Sequence, residues 1–356
     1  MADPSKLDQE KLNQFIGKFV QDLGAAAHGS TVVLGERLGL YKALNVPGGR
    51  TPAELATATE THERFVREWL SSQAASGWVG YRKEDGKFFL TPEQAFVLTE
   101  EKNPAYFPGA YLVVASTYQD LGRTVTAFRD GKGVGWHERS EILFEGTNKF
   151  FRPNYVGNLV SGWLPSLEGM VPRLEKGARI ADVGCGFGSS TLLMAAAFPR
   201  SEFFGFDYHQ GSIDAARSQA AMERAVERVH FEKAKAQDYP GKAYDLVTFF
   251  DCLHDMSDPV GAARHVHSTL KPDGTWMLVE PFAGESLTAN QTPVGRVFYS
   301  ASTMICTPAS LSEKGGAGLG AQASEAQLRE VATAGGFTRF RKASETPFNR
   351  VFEIRP

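Results

Sequence analysis

Residues 180–188 read IADVGCGFG, a short apolar run that passes directly into three alternating glycines. Glycine allows tight backbone turns and close approach of a ligand, and a helix that follows such a turn presents unpaired N–H groups. The pattern therefore predicts a strand, a ligand-binding turn and a helix, in that order. Glycine-rich turns occur in many classes of protein, so the neighbouring residues must indicate which kind of ligand is bound.

The residues beside the glycines argue against a dinucleotide as the ligand. A dinucleotide fingerprint requires G-x-G-x-x-G, but Ser189 follows Gly188, and Asp182 lies two positions before the first glycine. A carboxylate there would repel a pyrophosphate and attract a cationic group such as an ammonium. We therefore expect the side chain of Asp182 to face a cleft, and we disfavour a nicotinamide-dependent oxidoreductase.

Apolar runs of strand length alternate with helical segments after residue 178, which is typical of a parallel sheet with crossover helices. We predict strands at 179–183, 202–207, 229–233, 244–250 and 275–280, and helices at about 189–197, 212–226 and 259–270. The tetrapeptide at 271–274 is predicted to be a turn. A final helix is expected to begin at Ser324, and a hairpin of residues 337–343 and 350–354 closes the chain.

Acidic side chains follow the predicted strands. Asp207 ends the second strand about twenty residues beyond the glycines, where its carboxylate can accept hydrogen bonds from both ribose hydroxyls. Gln237 and Asp238 follow the third strand and are either acceptors for an adenine amino group or turn and cap residues. Ligands of open α/β sheets bind beyond the carboxyl ends of the strands, so these positions support one another.

The first hundred residues predict a winged-helix outline of helix, helix and hairpin. The stretch Thr51-Pro52-Ala53-Glu54 is a capping box with proline at the first helical position. Apolar residues at 65–70 give the second helix one buried face. The segments 78–81 and 87–90 are predicted to pair as a hairpin, and Thr91-Pro92-Glu93-Gln94 repeats the capping pattern.

Composition and charge exclude several classes of protein. The chain has 356 residues, is 42% apolar and 22% charged, and carries a net charge of −3, as expected of an ordinary globular protein with room for two domains. Residues 1–150 contain 17 basic and 19 acidic side chains, so a nucleic-acid partner is not expected, and Phe65 and Trp69 suit a dimer core better.

The same reading predicts a cytoplasmic protein with no membrane partner. The N-terminal segment MADPSKLDQEKL lacks the features of a secretory signal, and no apolar run approaches the roughly 20 residues needed to span a bilayer. Cys185, Cys252 and Cys306 are too few and too scattered for a disulfide framework or a zinc site, so no metal is expected.

The glycine series with its preceding Asp182, followed by Asp207 and Asp238, resembles the class I S-adenosylmethionine-dependent methyltransferases. The resemblance implies a Rossmann-like seven-stranded sheet whose last strand is inserted antiparallel, behind an N-terminal all-α, winged-helix domain. Phe150-Phe151-Arg152-Pro153 and Cys306-Thr307-Pro308 are similar to bacterial winged-helix methyltransferases and small-molecule O-methyltransferases. These relatives dimerise through the extra domain, which implies a homodimer.

The resemblance implies S-adenosylmethionine as cofactor and in-line methyl transfer to an O or N atom of a small molecule. The alternative is a winged-helix DNA-binding regulator that senses the same cofactor. The implied cofactor-binding residues are Asp182, Gly184, Cys185, Gly186, Gly188, Asp207, Tyr208, Gln237, Asp238 and Asp251.

The implied domain organisation has three parts. Residues 1–100 form the winged-helix-like dimerisation domain, and 101–165 form a helical linker that contributes to the active-site cleft. Residues 166–356 form the cofactor-binding domain. Within it, the insertion 282–324 is expected to cover the substrate, since loops of that length are often functional.

Residues 251–258 resemble the His-Asp-Trp-Ser-Asp motif of O-methyltransferases, in which the histidine deprotonates a hydroxyl. Met256 replaces the tryptophan. An unperturbed histidine pKa near 6.5 suits proton abstraction at neutral pH, so His254 is a candidate general base. In the other reading, His254 hydrogen-bonds its own loop or lines the pocket. The sequence leaves both open.

Overall fold

The computed structural model describes residues 7–356 and divides into two compact units, Met1–Ala115 and Ser116–Pro356. The first six residues lie outside the described part. These six residues are the first half of the N-terminal segment MADPSKLDQEKL, in which no secretory signal was found, and they also begin the predicted 1–100 domain. The division at residue 115 places most of the predicted 101–165 linker in the second unit.

The N-terminal unit has the predicted order of helices and a hairpin. Its elements are α1 (Gln9–Arg37), α2 (Leu40–Leu44), α3 (Pro52–Ala58), α4 (Glu63–Ala75), β1 (Gly80–Arg82), β2 (Lys87–Phe89) and α5 (Pro92–Leu98), and α6 (Ala110–Gln119) follows. Both predicted capping boxes are present, since the Thr51 and Thr91 hydroxyls accept hydrogen bonds from the third residues of α3 and α5. The winged-helix outline is confirmed.

The expectation that Phe65 and Trp69 form a dimer core is wrong for Trp69. Its indole is buried within the N-terminal unit and donates a hydrogen bond to the Thr31 carbonyl at 2.8 Å. The Phe65 side chain is 76% exposed. Each residue of an α-helix advances by about 100°, so Phe65 lies at the margin of the face that Val66 and Leu70 bury.

The second unit alternates strands and helices. Its strands are β3 (Arg179–Val183), β4 (Glu202–Asp207), β5 (Val229–Lys233), β6 (Tyr244–Phe250), β7 (Leu270–Pro281), β8 (Arg339–Glu345) and β9 (Asn349–Arg355). Its helices are α7 (Leu121–Asp130), α8 (Glu141–Asn158), α9 (Met170–Lys176), α10 (Ser189–Ala197), α11 (Gln210–Met222), α12 (Pro259–Thr269), α13 (Pro293–Ala301), α14 (Thr307–Ser310) and α15 (Glu325–Ala334). The first four strands have the predicted bounds.

Within residues 7–356 these strands form one seven-stranded sheet in the order β5-β4-β3-β6-β7-β9-β8. Strand β3 pairs in parallel with β4 on one side and β6 on the other, and β9 enters antiparallel between β7 and β8. All seven residues of β6 are buried, because helices cover both faces of the sheet. The expected Rossmann-like methyltransferase sheet is confirmed.

The predicted turn at 271–274 is instead part of β7. Tyr244 pairs with Leu270 and Leu246 pairs with Thr275, so the intervening residues of β7 bulge out before pairing resumes. Proline and glycine within this stretch mark the bulge. No helix of the described residues is long and apolar enough to cross a membrane.

Candidate functional site

A cavity of about 410 Å³ opens where β3, β4 and β6 end, entirely within the second unit. Small-molecule sites commonly range from about 300 to about 1,000 Å³, so the cavity can hold one. Its wall is formed by the glycine turn 184–187 and the strand-end segments 207–209, 234–237, 250–252 and 255–257, with further residues from α8 and the insertion. The cavity thus lies beyond the strand ends, where the sequence predicts the ligand site.

The glycine turn uses its three glycines differently. Gly186 has a φ of 52°, and a side chain added there would meet nothing within 4 Å. Gly188 has a φ of 79° and does not line the cavity. A Cβ there would lie 2.5 Å from the Phe231 ring, so packing against that ring leaves no room for a side chain. Gly184 and the buried Cys185 line the wall and donate backbone hydrogen bonds to the Phe206 carbonyl. Direct contact with a cofactor is therefore not supported for Gly188.

Asp182 does not face the cavity, which corrects the main electrostatic expectation from the sequence. Its carboxylate is 1% exposed and accepts hydrogen bonds from the hydroxyls of Ser190 (2.7 Å), Thr191 (2.6 Å) and Thr248 (3.0 Å). Burial raises the pKa of Asp182, against the effect of these donors. The side chain ties β3 to the first turn of α10 and to β6, so it supports the turn from beneath.

Asp207 lies at the cavity wall as predicted. Its two oxygens accept hydrogen bonds from the backbone N–H groups of Gly186 (3.0 Å) and His209 (2.9 Å). Burial raises the pKa of this carboxyl. Each carboxylate oxygen has a second lone pair, so Asp207 can also accept from ligand hydroxyls. Tyr208 also lines the wall, and its hydroxyl accepts the Trp136 N–H at 3.1 Å.

The two polar residues after β5 have different positions. Gln237 lines the cavity, and its amide donates to the Asp258 carbonyl at 3.1 Å. Asp238 does not line it, and its carboxylate accepts the Lys235 N–H at 3.0 Å. The sequence left open whether these residues accept from an adenine amino group or stabilise a turn, and Asp238 stabilises a turn.

Asp251 is a buried cavity residue with one unsatisfied oxygen. Its side chain lines the wall, its φ is 51°, and Oδ1 accepts a hydrogen bond from the Asn349 amide at 2.7 Å. Its Oδ2 is buried and has no hydrogen-bond partner among the described residues. Burial, with repulsion from Glu280, raises the pKa of Asp251 well above the ordinary aspartate value. Asn349 also accepts from Asn154 of α8.

His254 does not line the cavity, which argues against its predicted role as general base. Nδ1 lies 2.5 Å from Glu280 Oε2, and Nε2 lies 3.0 Å from Asp255 Oδ1. Burial alone would lower the histidine pKa, but the Glu280 and Asp255 carboxylates outweigh it and raise the pKa well above 6.5. A protonated ring has no free lone pair to take a proton, and its two nitrogens face Glu280 of β7 and Asp255, so neither the base role nor a place in the cavity lining is supported for His254.

The wall includes residues of α8 and of the segment before it, both within the 101–165 stretch that was expected to contribute to the cleft. Phe144 stacks on the His209 ring with centroids 4.1 Å apart, and Asn148 accepts a hydrogen bond from the Ser189 hydroxyl at 2.7 Å. Phe151 and Tyr155 complete an aromatic face. The spacing of these residues on one helix face was the available signal.

The insertion 282–324 contributes residues to the wall. Ala309, Ser312 and Glu313 line the cavity, and the Ser310 hydroxyl donates to the Met256 carbonyl at 2.8 Å. A backbone hydrogen bond of 3.0 Å joins Ala317 to Ser257. The middle of the insertion is thus bonded to the loop that follows β6.

Comparison with known families finds one match within each unit. Residues 181–276 match the family described as a methyltransferase domain, and residues 26–100 match the Rv2258c-like winged HTH domain. The chain is 30% identical over 169 residues to 27-O-demethylrifamycin SV methyltransferase of Amycolatopsis mediterranei, covering 44% of this chain and 57% of that protein. It is 32% identical over 109 residues to the uncharacterized methyltransferase YcgJ of Bacillus subtilis, covering 30% and 42%.

Solved structures resemble the chain over nearly its whole length. Human N-acetylserotonin methyltransferase in complex with SAM superposes with a TM-score of 0.70 at 17% identity, covering 99% of each chain. The mitomycin 7-O-methyltransferase MmcR has a TM-score of 0.66 at 19% identity, covering 98% of this chain and 100% of its own. At these identities the likeness concerns the fold. The chain thus carries a methyltransferase domain, matched over residues 181–276, behind an Rv2258c-like winged HTH domain, matched over residues 26–100.

Proposed function

We propose that the protein is an S-adenosylmethionine-dependent methyltransferase that transfers a methyl group in line to an O or N atom of a small molecule. The observation that carries this proposal is the cavity in which Asp207 and Asp251 lie on opposite sides of the glycine turn. The match to a methyltransferase domain over residues 181–276 supports it. The chain spans only part of the curated relatives, so substrate and partners are proposals as well.

The order of the strands suggests how the cofactor lies. Asp207 ends β4, on one side of β3, and its carboxylate is suited to the ribose hydroxyls. Gln237, beyond the neighbouring β5, is suited to the adenine. The amino-acid tail then extends across the glycine turn towards β6, which ends beside Asp251. We therefore assign the ammonium group to the free Oδ2 of Asp251, in place of Asp182.

The protein's contribution to the reaction is mainly positioning. The bound cofactor supplies an electrophilic methyl group on a sulfonium, whose leaving thioether is neutral and needs no proton. Holding donor and acceptor in line within about 3.5 Å in a dry cavity can account for several kcal/mol of the barrier. Phe151 and Phe187 line the wall, where aromatic faces attract a sulfonium by cation–π interaction.

Calorimetry with S-adenosylmethionine, S-adenosylhomocysteine and 5′-methylthioadenosine tests this arrangement. S-adenosylhomocysteine keeps the ammonium, whereas 5′-methylthioadenosine lacks the amino-acid tail. Asp251→Asn should weaken the affinity for S-adenosylhomocysteine by about thirty-fold, because losing one partner of a buried charge pair costs about 2 kcal/mol or more of binding free energy. It should leave 5′-methylthioadenosine binding unchanged.

Asp238→Asn is the matched control and should leave both affinities unchanged, since the Asp238 carboxylate bonds its own turn and does not line the cavity. Equal weakening of both ligands by Asp251→Asn would contradict the ammonium assignment. Absence of S-adenosylmethionine and S-adenosylhomocysteine binding to the unaltered protein would contradict the function itself.

We also infer a homodimer formed through the N-terminal unit. The first half of α1 carries an apolar face that the other residues of the described range 7–356 leave exposed, formed by Phe15, Ile16, Phe19, Val20 and Leu23. Exposed apolar faces of this extent mark interaction sites. The occupant we propose is the same face of a second copy, because an isologous contact requires no further complementary surface.

The alternative, a DNA-binding regulator that senses the cofactor, is not favoured. The exposed arginines of α4, Arg64 and Arg67, form ion pairs with Glu68 and Glu63 one helical turn away. These pairs reduce the positive potential that binding to phosphates needs. A gel shift with steep salt dependence would instead support the regulator. A cytoplasmic location remains a prediction based on the scattered cysteines, which are all free.

A further inference from the structure

A line of charged side chains leads from the interior of the sheet to the cavity wall. Glu280, on β7, is 1% exposed and contacts His254 at 2.5 Å. The opposite ring nitrogen of His254 lies 3.0 Å from Asp255, whose side chain lines the cavity. Asp255 is therefore the member of this line that a bound small molecule can touch.

The charges of this group balance without any added ion. Two buried carboxylates flank one imidazole, and burying unpaired carboxylates is costly, so the arrangement favours a doubly protonated ring that donates a hydrogen bond to Glu280 and forms an ion pair with Asp255. Arg139 is 7% exposed, and its guanidinium is within electrostatic reach of Asp255. Burial raises the pKa of Cys306 to about 12, so the neighbouring thiol is neutral.

One ligand atom each of His254, Asp255 and Cys306 lies within 4.8 Å of the others, a spacing that could also hold a metal ion. The imidazolium is favoured over a metal, because the nearby Arg139 guanidinium disfavours a further cation at this position.

Resting on the proposed methyl transfer, we propose that Asp255 receives the proton of the acceptor and that His254 is a positioning residue that holds Asp255 in place. In this step the acceptor O or N forms a bond to the methyl carbon, and the carbon–sulfur bond breaks with its electron pair moving to sulfur. The acceptor's proton moves to the Asp255 carboxylate. This assignment gives the reactive role to the residue that lines the cavity.

The charge of the cavity wall indicates which chemical class of acceptor molecule the site favours. Among the described residues the lining holds the carboxylates of Glu138, Asp207, Asp251, Asp255 and Glu313 and one lysine, Lys235, which pairs with Glu313. Asp207 and Asp251 are assigned to the cofactor, so the negative charges of Glu138 and Asp255 remain for the acceptor side of the wall. Such a wall repels anions and leaves neutral or cationic molecules favoured. The acceptor we infer is a hydroxyl- or amine-bearing molecule without a carboxylate or phosphate near the methylated atom.

A screen of paired acceptors tests the inferred acceptor class. Small phenols and aryl amines, each paired with its ring-carboxylated counterpart, are offered with S-adenosylmethionine, and release of S-adenosylhomocysteine is measured. We expect turnover of the uncharged members and at least about ten-fold lower kcat/KM for the carboxylated ones. Equal turnover of both members would overturn the acceptor class. Cofactor binding with no turnover of any member would also overturn it, while leaving the cofactor proposal standing.

Asp255→Asn separates the proton-accepting role from a structural one. We expect kcat to fall at least about 100-fold, as for loss of a catalytic acid or base, while S-adenosylhomocysteine affinity stays within about two-fold. Selection against carboxylated acceptors should weaken in the same variant, which loss of stability alone would not cause. Asp258→Asn is the control, because asparagine can still cap α12 and Asp258 does not line the cavity. Unchanged kcat would overturn the role.

Asp255→Glu is the second variant, since it keeps a carboxylate should the asparagine variant not fold. It should retain more activity than any neutral replacement, and activity equal to that of a neutral replacement would overturn the role. Nitrogen NMR of labelled His254 should show both ring nitrogens protonated at neutral pH. A metal ion found at one equivalent by elemental analysis, or an unprotonated Nε2, would overturn the positioning role of His254.

Discussion

Asp182, beneath the glycine turn, and Asp251, at the end of β6, are both buried carboxylates, and they differ in the hydrogen bonds that they accept. Asp182 accepts three hydroxyl donors, so it is satisfied by its own protein. Asp251 accepts one amide and keeps a buried oxygen without a partner among residues 7–356. A buried carboxylate oxygen without a donor is costly, which is the reason to assign a cationic ligand group to Asp251.

Asp182→Ala should lower the free energy of unfolding by roughly 2–4 kcal/mol, because it leaves buried hydroxyls of Ser190, Thr191 and Thr248 without their acceptor. Urea denaturation measures this change. Asp238→Ala, which removes one exposed turn bond, should cost about 1 kcal/mol or less. Full stability of Asp182→Ala, with loss of cofactor binding alone, would restore the direct role first expected for Asp182.

The binding of S-adenosylhomocysteine should strengthen as the pH rises above about 4, the ordinary aspartate pKa, because the raised pKa of Asp251 keeps part of the free protein protonated. The strengthening should end at the raised pKa. The same shift makes the free energy of unfolding decline over this range, since the folded state holds the proton more tightly. Calorimetry across pH measures the affinity, and a dependence that is identical in Asp251→Asn would contradict this explanation.

At the scale of elements, the turn between β3 and α10 combines two requirements in five residues. Gly186 needs its left-handed conformation and faces open space, whereas Gly188 needs the same conformation and also has no room for a side chain. The first leaves open space in the cavity, and the second allows α10 to pack against the sheet.

This difference predicts unequal effects of the same substitution. Gly188→Ala should lower the free energy of unfolding by about 2–4 kcal/mol, from backbone strain and the clash with Phe231. Gly186→Ala should cost only about 1–2 kcal/mol, from backbone strain alone. Thermal or urea unfolding of both variants measures the difference, and equal losses would contradict the packing role of Gly188.

At the scale of the molecule, the exposed face of α1 predicts self-association. Replacing Phe15 and Phe19 together by Glu should convert a dimer to a monomer in analytical ultracentrifugation, because it places charges in an apolar contact. Replacing Gln14 and Gln21 by Glu adds the same charge on the opposite side of the helix and should leave the dimer intact. A monomeric unaltered protein would refute the dimer.

The sequence by itself determined the elements and their order, because capping boxes, glycines at turns and the alternation of apolar runs act over a few neighbouring residues. The positions of β3 to β6 and the closing hairpin follow from such local rules. The location of the cavity also follows, since parallel strands end at one edge of the sheet. Gly184, Cys185, Gly186, Asp207, Tyr208, Gln237 and Asp251 line it as expected.

Only the tertiary structure decided which way each polar side chain faces. Asp182 turns inward because Thr248, 66 residues away, lies beside it on β6, and His254 turns from the cavity because Glu280 on β7 binds its ring. Asn349, 98 residues from Asp251, leaves that carboxylate one free oxygen. Hydrogen bonds between residues so distant in the chain depend on strand pairing in space, and no local pattern records them.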